Sequence, residues 1–188
     1  MAFSQVERAN AALSAIGAHR ISALSENSKE ARVCNARFDA VRDALLRAHP
    51  WNFAMARASL PALSGTPVWG WARAFQLPAD AVRVWSVDGL RDEEWTVEGR
   101  TILADAGAPL NIRYIRRADN PATWDAGFAE AFSARLAAEI AADIVDETAT
   151  TERMWGLYRD KLAEARRSDA QEGSAEWHPE PGWLAARS

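Results

Sequence analysis

The side chains in this sequence that could do chemistry are few: three histidines, one cysteine, two short acidic runs and nine tryptophans. His19, His49 and His178 stand far apart, none at helical or loop spacing from a second ligand. With a lone cysteine beside them, a zinc or iron site is not expected. Nor is a cofactor expected, because the chain has no Gly-x-x-x-x-Gly-Lys loop, no Gly-x-Gly-x-x-Gly turn and no Gly-x-Ser-x-Gly elbow. Asp92-Glu93-Glu94 and Asp146-Glu147 are of the residue type that glycoside hydrolysis uses, which needs two carboxylates on opposite sides of one bond. Any acidic chain supplies such neighbours, and a solvated turn and a helix end are the expected settings for these. Cys34 falls on an apolar helical stripe, so packing is expected of it, not nucleophilic attack. No catalytic residue is assigned, and the chain reads as a non-enzyme.

Nine tryptophans are more than a core of this size normally holds, and tryptophan is enriched at the buried centres of interfaces. Trp51, Trp85, Trp95 and Trp155 are expected to fill the core. Trp177 and Trp183, with His178 between them, lie in a run with two prolines and no period, which has no core of its own to bury them. Trp69 and Trp71, either side of Gly70, are open between the two readings. The candidate interface is therefore Trp69, Trp71, Trp177, His178 and Trp183.

These residues need elements to position them. Ser4, three residues before Glu7, has the form of a capping box, and the run through Ala9, Leu13 and Ile16 ends at Gly17. Asn27 and Glu30 repeat the signal ahead of Ala31, Cys34, Phe38, Val41, Leu45 and Ala48, spaced by threes and fours. Arg32, Arg37, Asp39, Arg42 and Asp43 occupy the other faces, and Pro50 ends the helix at His49. From Val68 to Arg117 the period drops to two, predicting strands at 73–77, 81–87, 94–97, 101–103 and 110–115. Leu110, Ile112 and Tyr114 alternate with Asn111 and Arg113, so one face packs and the other is wet. The helical period returns in Phe128, Phe132, Leu136, Ile140 and Ile144, breaks at Thr148 to Thr151, and resumes in Met154, Leu157, Tyr158, Leu162 and Ala165.

The expected fold is α+β and mainly α. Residues 1–66 and 120–173 form an antiparallel helical bundle with Phe38 in its shared core, residues 67–119 an inserted small antiparallel β subdomain, and residues 174–188 an extended arm. Net charge is −4 but uneven: residues 1–60 carry 8 Lys+Arg against 5 Asp+Glu, and residues 121–188 carry 7 against 13. A broad basic face for phosphates is not expected. No signal peptide and no membrane span are expected, and one cysteine fits a reducing compartment.

Four blocks then carry a family resemblance: Ala11-Ala12-Leu13 with Ile16-Gly17 and Ile21; Ala31-Arg32-Val33-Cys34 through Phe38, Arg42 and His49-Pro50-Trp51-Asn52-Phe53-Ala54; Leu77-Pro78 with Asp80 and Arg83-Val84; and Phe128 with Leu136-Ala137 and Ile140-Ala141. In this order they resemble the tail tubular protein A family, the head-to-tail adaptors of short-tailed phages. Residues 88–109 and the segment after Gly173 do not share in the resemblance. It implies a ring of about twelve copies made by heterologous contacts. The ring would dock beneath a portal protein, hold the tail nozzle protein on its other side and pass DNA through its channel without reading sequence. It also implies assembly in a host cytoplasm and residence in a virion, prophage product or related particle. A particle-borne cell-wall hydrolase built on the acidic pairs, and a cytoplasmic helical binding module with no viral connection, stay open as alternatives.

Overall fold

The computed structural model describes residues 4–172, and among them the chain forms four helices and two three-stranded sheets. It is α+β, with a helical bundle drawn from both ends of the described chain and a small antiparallel β region between the halves.

Helix α1 (Gln5–Ala15) starts on the expected capping box: Ser4 Oγ accepts from Glu7 N at 3.2 Å, and Glu7 Oε2 accepts from Ser4 N at 2.6 Å. It stops where Gly17 takes φ +73 and Ala18 N donates back to Leu13 O at 3.0 Å. Helix α2 (Lys29–Arg47) is capped by Ser28, whose Oγ accepts from Ala31 N, one residue later than the expected Asn27. Asn27 instead accepts from the Arg32 guanidinium at 2.8 Å. Helix α3 (Ala126–Ile144), capped by Asp125, is the hub, packing against α1, α2 and the last helix, α4 (Thr148–Glu172). The break before α4 comes earlier than the threonines suggested, at Val145 to Glu147, with Asp146 at φ +49. Thr150 and Thr151 lie in the first turn of α4, their hydroxyls donating to Glu147.

The bundle core is aromatic. Phe38 lies 4.7 Å from Phe132 and 6.3 Å from Trp124 between ring centroids, and Phe128 takes the edges of Trp51, Phe53 and Trp124 at 4.9–5.1 Å. At Gly127 a β-carbon would stand 3.1 Å from Ala165 Cβ, so glycine is what lets α3 and α4 close at that point.

The β region begins sooner than the period-two pattern predicted. Strand β1 (Met55–Leu60) lies inside the stretch assigned to the bundle, residues 1–66, and pairs antiparallel with β6 (Leu110–Arg116) from Met55↔Ile115 to Leu60↔Leu110. Its inward residues include Ala56 and Ala58, too small to mark an apolar face in the sequence. β3 (Ala81–Val87) pairs with the other side of β6, giving the order β1-β6-β3. The second sheet is β2 (Arg73–Gln76), β5 (Thr101–Ala104) and β4 (Trp95–Glu98), in the order β2-β5-β4. The sheets share a core of Leu60, Phe75, Val87, Ile102, Leu110 and Ile112. At the other end of the first sheet, Ile115 and Met55 pack into the helical core.

Arg42 corrects a further expectation. It is 1% exposed, inside the joint between bundle and sheet, with Asp39 and Asp43 at 2.9 Å and Asp119 at 3.0 Å. Arg117, following β6, reaches Asp43 at 2.9 Å, so one acidic trio is shared by two arginines from two parts of the fold.

Candidate functional site

The loop from β1 to β2 carries the most exposed apolar surface among the described residues. Val68 is 99% and Trp69 84% exposed, and Leu63 is exposed beside them. Trp71 is half-buried, and together these residues line an open cavity of about 660 Å³ against Leu103 of β5. The loop is shaped, not merely long. Gly70 takes φ +86, which favours glycine, Ala72 N donates to Asp105 Oδ1 at 2.6 Å, and Leu63 N donates to Ala74 O at 2.8 Å. The two tryptophans left open by the sequence are thus brought to one surface.

The remaining interface candidates, Trp177, His178 and Trp183, lie outside the described residues. Of the four tryptophans expected in the core, Trp51 is fully buried, its indole donating to Leu45 O at 2.9 Å. Trp95 and Trp155 are half-buried. Trp85 departs from the expectation: it is 38% exposed, with the Arg83 guanidinium 5.5 Å from its ring centroid. Trp85 follows the inward Val84, so strand alternation turns its side chain to the other face. Trp124 is the other buried one, donating to Ala118 O at 2.8 Å.

The acidic runs sit at chain turns. Glu94 is half-buried, and its carboxyl is held below the ordinary carboxylate range first by the Arg91 backbone N–H and then by the Arg91 side chain. A general acid needs the opposite shift. Glu147 receives the Thr150 hydroxyl at 2.6 Å. The Cys34 thiol is pushed up to about 11 by burial, with the Glu30 charge adding to it, so it is a thiol at neutral pH. Among the described residues no three histidine, cysteine or acidic side chains gather as a metal set, and no helix is long and apolar enough to cross a membrane.

The arrangement that reading the sequence missed centres on Asp169. It is 6% exposed on α4, and its Oδ1 accepts from Asn52 N at 2.9 Å. Its Oδ2 lies 3.0 Å from His49 Nε2, and its carbonyl accepts from Asn52 Nδ2 at 2.6 Å. Nearby, Arg166 donates to Ala48 O at 3.1 Å and Arg83 to Arg47 O at 3.3 Å, so α4 and β3 each supply a cation to the C-terminal carbonyls of α2. The segment His49-Pro50-Trp51-Asn52 is therefore pinned on the polar side by α4 and on the apolar side by Phe128. One signal was available: Asp169 continues the buried stripe of Met154, Tyr158 and Ala165, where a carboxylate is out of place unless bonded.

This geometry defines an α+β fold with an aromatic bundle core, a pinned inter-element segment and an exposed tryptophan loop. No family model matches the chain, and no curated protein matches it.

Proposed function

We propose that this chain is a head-to-tail adaptor: a subunit that closes into a ring, docks on a portal protein and carries a tail nozzle protein, leaving a channel for DNA. The observation that carries the reading is the Val68-Trp69 loop, whose two tips stand 99% and 84% exposed between loop ends held by hydrogen bonds at Leu63 and Ala72. An exposed indole is the kind of group that anchors an interface, because it buries large area at low entropic cost. The resemblance of the four sequence blocks to the tail tubular protein A family supplies the kind of interface. Its longest block, from Ala31 to Ala54, contains the pinned His49 to Asn52 segment and the α2 side of the bundle core. The loop is the surface offered to a neighbouring copy, portal or nozzle.

The test is the mass of the purified protein, alone and mixed with its candidate portal, by light scattering after size exclusion. A ring of about twelve copies, free or on the portal, supports the reading. A monomer that ignores the portal counts against it. In the W69S variant, circular dichroism and melting temperature stay as in the parent and ring formation or docking weakens. Unimpaired assembly would remove the loop from the interface.

A further inference from the structure

The outward face of the first sheet is wet and positively charged where it leaves the bundle. Met55 and Ile115 of this face pack into the helical core, and the next pair outward on the same face is Arg57↔Arg113, followed by Ser59↔Asn111. Ser86 of β3 lies opposite Arg113 on its other side. Together they border an open cavity of about 670 Å³ that half-buried Leu90 also lines, with Asp88 the one acidic residue in its lining. Like charges directly across an antiparallel pair repel. Arg57 is exposed and makes no ion pair with any described residue. A groove of this kind fits an extended segment carrying carboxylates and one large apolar side chain.

Such a segment begins within reach of the groove. Asp169 is bonded to Asn52, three residues before β1 starts, and the described chain ends three residues further on, at Glu172. The 16 residues 173–188 carry Glu176 and Glu180 with Trp177 and Trp183 among them. Extended, 16 residues reach about 50 Å, and the six-residue strand β1 spans about 20 Å, so length is sufficient several times over. A tethered ligand also binds at high effective concentration. We propose that residues 173–188 dock on the outward face of the first sheet of their own copy, Glu176 and Glu180 against Arg57 and Arg113 with Trp177 over the groove between them. The proposal stands apart from the adaptor reading: it holds for a free subunit whatever that subunit assembles with.

Amide hydrogen exchange of the full-length protein tests it, followed over residues 173–188 at two protein concentrations. Exchange there is expected at least about tenfold slower than for an unstructured peptide, independent of concentration. In R57E/R113E it returns to the unstructured rate, and in that background E176R/E180R restores the protection. If R57E/R113E does not fold by circular dichroism, E176Q/E180Q in the unaltered sheet reads the same loss. Unprotected exchange in the parent, or protection untouched by these variants, overturns the proposal. So does protection that grows with concentration, which assigns the segment to a neighbouring copy. Unchanged protection together with loss of short DNA duplex binding in R57E/R113E overturns it in favour of a phosphate site.

Discussion

Asp169 shows how much a single buried carboxylate can organise. It is the acceptor for a backbone N–H and the neighbour of an imidazole, both in the segment that leads from α2 into β1. D169A leaves the Asn52 N–H without that partner and is expected to lower stability by about 2 kcal/mol, seen as a fall of roughly 4–8 °C in melting temperature. An unchanged melt would mean the segment is held by Trp51 packing alone. Cys34 gives a pH signature. Its folded thiol titrates near 11 against an ordinary value of 9.0, so the folded state keeps its proton longer than the unfolded chain. The stabilisation is complete below about 9 and is lost as pH rises from about 9 to 11, which urea midpoints across that window will show. The packing of Cys34 was legible in its place on the stripe. The role of Asp169 was not, because a lone carboxylate among apolar positions declares itself only once its partners 117 and 120 residues away are in view.

At the level of elements, legibility followed side-chain size. α2 and α3 are written in Phe, Leu, Val and Ile at spacings of three and four, and both appear where those residues stand. β1 alternates as well, but with alanine inward, and the contrast between Ala58 and Ser59 is too small to read as a period. Arg42 was misread for the opposite reason: long and charged, it was counted as surface when three aspartates hold it inside. The close packing of α3 on α4 yields a prediction of its own. G127L has no room against Ala165 and is expected to destabilise by about 1–3 kcal/mol, measured by denaturant titration. F38A removes a ring packed between Trp124 and Phe132 and is expected to cost about 3–5 kcal/mol in the same titration.

For the whole molecule, charge and surface are what the adaptor reading draws on. The first third is net basic and the last third net acidic, and a ring needs two different patches to meet between neighbours. Assembly is therefore expected to weaken as salt rises from about 0.05 to 0.5 M, where screening shortens to a few ångströms. Mass measured by light scattering along that series checks it, and salt-independent assembly would leave the apolar loop as the main contact. Of the candidate interface residues, Trp69 and Trp71 are the two among the described residues, and their type alone left burial and exposure both open. Two tryptophans around a glycine marked the loop, but only the folded chain separates Trp69, in water, from Trp71, half covered, and from the buried Trp51 and Trp124.

The pairing of β1 with β6 also has a mechanical side. Both strands run from the helical core, at Met55 and Ile115, to the β core, at Leu60 and Leu110, cross-tied in register along their length. The β region is thus attached by two antiparallel strands paired in register, and β3 runs alongside as a third. A load applied at the far end of β1, at Leu60, passes into the helical body as tension along covalent chain.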